Sequence, residues 1–324
     1  MATVSPTLRG HIWQALLRMQ RLSWEQGVAS HAALDEGMGE VSLAIARDAV
    51  THQDADGRLG ATGDAGLVNG GSLLEAVAFA ASRGDAAAAE ALERQRWWFL
   101  RYAPRVDSGV LLHIAGVNEV WIDTLYMVLP ALAVTGDFAP ADMQYRMHRE
   151  HLWNPATGLY AHRANPSTGE LVRADAWASG NGWTAAGVAR ALRIGGNKVP
   201  SEMRGRWQSQ TRELIDAVSR WETNDGRFHD VLDDPETFTD GTAGMMFSYA
   251  AFTGVADGWL PPTYAKRATR WMEGALVRLD VDGVVQGVCG APHFDREGVS
   301  AEAQAFALLA LTASETVNDP HGSD

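Results

Sequence analysis

Apolar residues recur at helical spacing through most of this chain, and polar residues fill the opposite faces. The periodicity predicts helices over Ser72–Ala81, Ala86–Leu100, Arg204–Trp221, Gly241–Phe252, Tyr264–Leu279 and Ser300–Ala313. The stretch Val120–Val134 differs: it is apolar on every side and carries one charge, Asp123. A helix without a polar face is a buried one. Strand signals are short and few, such as Gly109–His113.

Between the helical runs a glycine turn comes back five times, as Asp56-Gly57-Arg58-Leu59, Asp107-Ser108-Gly109-Val110, Thr157-Gly158-Leu159-Tyr160, Asp225-Gly226-Arg227-Phe228 and Asp282-Gly283-Val284-Val285. Successive glycines lie 52, 49, 68 and 57 residues apart, a period typical of supersecondary repeats. The unit reads as a helical hairpin with a tight turn, repeated about six times to give about twelve helices. Only the turns resemble one another, whereas an open solenoid would repeat a consensus and cap its ends. The expected fold is therefore all-α, a closed (α/α)6 barrel with its pocket where the inner helices begin. One domain is expected over residues 1–324, with a frayed tail from about Asn318. The longest step holds an insertion, Asn165 to Trp183, rich in Gly, Ser and Asn, and long loops on rigid scaffolds commonly carry function.

Composition narrows the partners. The net charge of −13 argues against a broad nucleic-acid surface, which needs concentrated Lys and Arg. An acidic substrate would need a local cationic pocket against that field. No run of about 18 apolar residues lacks charge, so no membrane association is expected. Met1–Gly10 shows no secretory pattern, and one cysteine, Cys289, fits a reducing compartment. The expected location is the cytoplasm. Metal and nucleotide motifs are absent, no cofactor is expected, and the run Asp230, Asp233, Asp234 reads as a solvated loop.

The candidate chemistry starts from Asp123. Burial disfavours its charged form and the helix N-terminus favours it, which together can leave a carboxyl able to exchange a proton near neutrality. From the residues alone the competing reading is a structural aspartate that caps a neighbouring helix. Of the twelve tryptophans, Trp24, Trp121, Trp177 and Trp183 lie beside polar residues, as in a sugar-binding surface. Trp177 and Trp183 flank a Gly-Asn-Gly turn and read as two pocket walls or two buried anchors. Trp24-Glu25-Gln26-Gly27 interrupts an apolar face, His162 follows the Gly158 turn, and the loop from His293 to Ser300 offers backbone N–H groups to an anion.

Taken together, Val120-Trp121-Ile122-Asp123-Thr124, the Gly-Leu-Tyr-x-His turn and the Trp-x-x-Gly-Asn-Gly-Trp segment resemble the unsaturated glucuronyl and rhamnogalacturonyl hydrolases of glycoside hydrolase families 88 and 105. The resemblance runs from about Trp24 to Ala313. It implies a six-hairpin enzyme that removes a 4,5-unsaturated uronic acid from lyase-generated oligosaccharides, with Asp123 as general acid and base. It further implies substrate contacts from Trp24, His162, Trp177 and Trp183. Two positions depart from the pattern. Ser179 stands where the family has an arginine, and the family's second acid is matched only by Asp64 or Asn69. Carboxylate recognition would then pass to Arg173 or Arg163. The competing expectations are another (α/α)6 carbohydrate enzyme, either an inverting hydrolase with Glu25, Asp64 or Asp175 as partner acid or an epimerase using His162 and His293, and a non-catalytic toroid binding sugars or a protein.

Overall fold

The computed structural model describes residues 4–318. Twelve α-helices follow in order: α1 Pro6–Met19, α2 Ser23–Asp35, α3 Gly39–Thr51, α4 Leu74–Ser82, α5 Ala86–Trp97, α6 Thr124–Val134, α7 Phe138–Leu152, α8 Ala178–Gly195, α9 Ser201–Val218, α10 Gly241–Ala256, α11 Thr263–Leu276 and α12 Ala301–Asn318. A 3-10 turn, Asn69–Leu73, leads into α4. Asn318 closes α12, and the rest of the expected tail lies outside the described residues.

The even-numbered helices form the inner ring. Each packs against the next, from α2 through α4 with its 3-10 turn, α6, α8, α10 and α12, and α12 closes back onto α2. The odd-numbered helices lie outside them. Sequence explains the division: α6, α8, α10 and α12 are apolar and buried almost all round, whereas α9 and α11 bury one stripe and expose the other face. Neighbouring inner helices approach closely. A Cβ on Gly187 of α8 would lie 2.7 Å from the Tyr126 Cα of α6, so only glycine fits there without displacing backbone. Tyr126, Trp183, Phe306 and Tyr249 fill the axis with tilted and edge-on ring contacts of 4.7–6.1 Å. Twelve residues into α8, about 18 Å along its axis, buried Arg190 bonds Glu75, Asp35 and Tyr249 and plugs the other end of the ring.

The five glycine turns all have positive φ, from 74° to 100°. They do not make the tight hairpin turns expected of them. Each lies in a long connection from an outer helix to the next inner helix, while the tight links, such as Arg83–Asp85 and Thr135–Asp137, run from inner to outer. At Gly226 the chain passes so near α11 that a Cβ would lie 2.7 Å from the Arg270 carbonyl, which fixes both the residue type and the place of the turn. The long connections therefore gather at one end, above the N-termini of the inner helices. The Gly-Asn-Gly segment is a second correction: Ala178–Trp183 is the first part of α8, not a loop.

Candidate active site

A small antiparallel sheet sets the geometry around Asp123. Val120–Trp121 pairs with Arg163–Ala164, which pairs with Leu171–Arg173. The Ile122 amide donates to the His162 carbonyl at 3.0 Å and the His162 amide donates to the Arg173 carbonyl at 3.2 Å. The strand thus delivers His162 beside Asp123, which stands at the N-cap position of α6. His162 Nε2 lies 3.4 Å from Asp123 Oδ2, and neither atom has a hydrogen-bond partner. Asp123 makes no side-chain cap bond to α6, so the capping role is not the one it plays.

Asp123 lines a cavity of about 310 Å³ with Asp64, Asn69, His113 and Glu302, walled by Trp24, Trp121 and Trp183 and edged by Phe294. Its side chain is 15% exposed. Burial pushes the carboxyl up, but His162 and His113 outweigh it, and the balance lies below the usual carboxylate range. The near-neutral poise expected from helix and burial alone is thus absent. His113 stacks on Trp121 with ring centres 4.7 Å apart, and its Nδ1 is 2.9 Å from the Thr124 hydroxyl. Burial holds the His113 imidazole down, towards its neutral form.

Asn69 and Asp64 meet: the Asn69 amide lies 3.2 Å from Asp64 Oδ1, which also accepts from the Gly66 amide, while Oδ2 accepts from Ser23. Trp24 and Trp183 reach the cavity, but Trp177 does not line it. The Trp177 indole N–H donates to Asp230 at 3.0 Å, and its ring backs His162 with centroids 4.6 Å apart. Asp230 is buried, not solvated as expected, and burial with the nearby Asp240 charge pushes it up to about 6. Ser179 does not face the cavity either. Its hydroxyl donates to Asp240 at 2.5 Å, and Asp240 also accepts from the Thr242 and Cys289 amides. Arg173 lies outside the wall, bonded to Asp175 and 3.2 Å from His162 Nδ1. Arg163 lies over the Trp121 ring and reaches towards Glu119. The segment His293–Gly298 is a strand paired with Val288–Gly290, and the N-terminus behind it is capped by Ser300.

Sequence reasoning missed His113 and Glu302. Glu302 carried a usable signal: like Asp123 at the N-cap of α6, it is the one acid at the start of a largely apolar inner helix. His113 carried none, because its place depends on the Leu67 amide pairing with its carbonyl across 46 residues. Among the described residues no helix is long and apolar enough to cross a membrane.

The described residues form a closed ring of helical hairpins with an acid in an indole-walled cavity above the inner helices. The sequence model of Glycosyl Hydrolase Family 88 matches residues 18–313, and the chain belongs to that family. It is 26% identical over 218 residues to the unsaturated rhamnogalacturonyl hydrolase YesR of Bacillus subtilis (strain 168), a match covering 63% of this chain and 61% of that relative's length. Its fold is shared with a possible member of the GH105 family from Salmonella enterica, at a TM-score of 0.83 and 20% identity over 97% of this chain and 93% of the other. An unsaturated glucuronyl hydrolase from Bacillus sp. GL1 matches at a TM-score of 0.66 and 15% identity, covering 89% and 83%.

Proposed function

We propose that the protein removes a 4,5-unsaturated uronic acid from the non-reducing end of small lyase-generated oligosaccharides, by hydrating the double bond. The observation that carries this reading is the Asp123 carboxyl, one oxygen without a partner, in a cavity walled by three indoles in a member of Glycosyl Hydrolase Family 88. The names of the relatives, an unsaturated rhamnogalacturonyl hydrolase and an unsaturated glucuronyl hydrolase, support the same substrate class.

Ordinary glycoside hydrolysis uses two carboxyl groups at set separations. Hydration needs one. Asp123 in its acid form gives its proton to C4, and the C4=C5 pair forms the new C–H bond. The cation left at C5 is stabilised by the ring oxygen. Asp123, now a carboxylate, takes a proton from water as that water bonds to C5. The product is a hemiketal, which opens and releases the neighbouring sugar. The acid form needed at the start is disfavoured by the histidine neighbours of Asp123. An incoming uronate excludes water and brings a negative charge, and both effects raise the Asp123 pKa at the moment the proton is required.

The tryptophans divide the work in this reading. Trp24, Trp121 and Trp183 wall the sugar's cavity, and Trp177 holds His162 against Asp123. Asn69, through Asp64, is placed to bond a sugar hydroxyl. His162 is a positioning residue for Asp123, and Arg173 acts on the site through His162. The closure of α12 onto α2 supports one domain over the described residues, and the lone buried Cys289 suits the cytoplasm. Loss of the ultraviolet absorbance of the double bond on mixing with lyase-treated pectin, alginate, gellan or glycosaminoglycan tests the reading. A flat trace with all four overturns it.

A further inference from the structure

The cavity wall holds three acids, Asp64, Asp123 and Glu302, and among the described residues it holds no lysine or arginine. A sugar carrying a carboxylate therefore meets no cation there. Arg173 and Arg163, the nearest candidates by sequence, are turned to Asp175 and Glu119. The anion must be received by another kind of donor.

Glu302 is the acid built differently from its neighbours. Asp64 has three donors, from Ser23, Gly66 and Asn69. Glu302 is 2% exposed, in the first turn of α12. Its Oε1 accepts the Trp24 indole N–H at 2.8 Å, while its Oε2 makes no well-formed hydrogen bond and has the Ser300 hydroxyl as its nearby polar neighbour. The groups packed around it bring no positive charge. From α2 comes Glu25, whose own oxygen accepts the Arg21 and Leu22 amides. From the strand Val288–Gly290, the backbone passes so near that a Cβ on Gly290 would lie 3.0 Å from Oε2. The neighbouring Cys289 is a buried thiol that burial holds protonated. At the start of α10, Asp240 is occupied by Ser179, Thr242 and Cys289. Burial and the Glu25 charge push Glu302 up to about 7, so near neutrality much of it carries a proton.

We propose that Glu302, as a neutral carboxylic acid, recognises the substrate's carboxylate by donating an O–H···O⁻ hydrogen bond, in the place a cationic side chain would otherwise fill. The inference rests on the uronate reading above. An acid donating to a carboxylate makes one of the short, charge-assisted bonds. It also leaves the wall one negative charge poorer, which matters where Asp123 must later take a proton. Ionised, Glu302 offers no donor and repels the ligand, so uronate binding draws a proton into the site.

The test compares wild type with Glu302→Gln and Glu302→Ala on an unsaturated digalacturonate and its methyl ester. Gln keeps both a donor and an acceptor for Trp24 but cannot ionise. Wild-type KM for the acid rises about tenfold per pH unit above the Glu302 pKa, with kcat changing less. In Glu302→Gln that rise disappears and KM stays low, in Glu302→Ala KM is high at every pH, and the ester follows neither pattern. A second arm needs no turnover. Calorimetry of galacturonate binding at pH 7.5, in two buffers of different ionisation enthalpy, shows proton uptake in Asp123→Asn and none in Asp123→Asn with Glu302→Gln. The proposal is overturned if Glu302→Gln keeps the wild-type KM profile, if both calorimetric traces agree, or if Arg173→Ala or Arg163→Ala alone abolishes the preference for acid over ester. Absence of turnover with normal proton-linked binding would instead count against the hydrolase reading alone.

Discussion

His162 Nε2 and Asp123 Oδ2 face each other at 3.4 Å, each buried and each without a hydrogen-bond partner. The gap is wider than a formed N–H···O bond. His162, with His113 behind it, holds the carboxyl below its ordinary range against the opposing effect of burial. In the proposed mechanism His162 thereby sets when Asp123 becomes an acid.

Replacing His162 with Gln removes the largest influence that lowers the Asp123 pKa. The acid form then survives to higher pH. Because the first step needs that form, the fall of kcat/KM with rising pH moves to higher pH in His162→Gln, whatever happens to the maximum. A pH–rate profile superimposable on wild type would mean that His162 does not hold Asp123 down.

Glu302 also makes stability depend on pH. Its folded pKa, about 7, lies above the ordinary value of 4.5, so the folded state binds the proton more tightly than the unfolded chain. This contribution is complete below about pH 4.5 and is lost as pH rises through about 7. At about 1.4 kcal/mol per pH unit it amounts to roughly 3 kcal/mol. Asp230, pushed up to about 6, acts with the same sign. Urea unfolding at pH 5 and pH 8 should show wild type losing more stability than Glu302→Gln. Equal losses would show that the carboxyl is not held protonated.

Ser179→Ala separates a structural serine from a substrate contact. It leaves buried Asp240 without its hydroxyl donor, a loss of about 1–3 kcal/mol. The expected result is a lower unfolding midpoint with KM for the unsaturated disaccharide unchanged. A raised KM at unaltered stability would return Ser179 to the substrate.

The fold was legible because both of its signals are local. Glycine turns at a steady period and helices that are either apolar all round or striped already separate inner from outer, as α10 and α11 illustrate. Asp123 stood out because it is the single charge in the fifteen residues Val120–Val134. What could not be read is what the long connections do to one another. Trp177, within the insertion, and the serine two residues on stand near Asp175 and Asn181 in sequence, yet Asp230 and Asp240 from a distant connection claim them. The same distance hid His113, which enters the cavity through pairing with the Leu67 segment. Gly-Asn-Gly looked like a loop because its glycines serve packing: Gly180 sits against Ile122 and Trp177, and Gly182 against Met246.

The account stands or falls on Asp123 as the group that moves the proton, and turnover of an unsaturated disaccharide by Asp123→Asn measures that directly. Asparagine keeps the size and loses the acid, so the unfolding midpoint stays near wild type. Turnover should fall by about 10³-fold or more, at the upper end of what a positioned acid–base group contributes. Loss of double-bond absorbance at a wild-type rate in the folded variant would contradict the account.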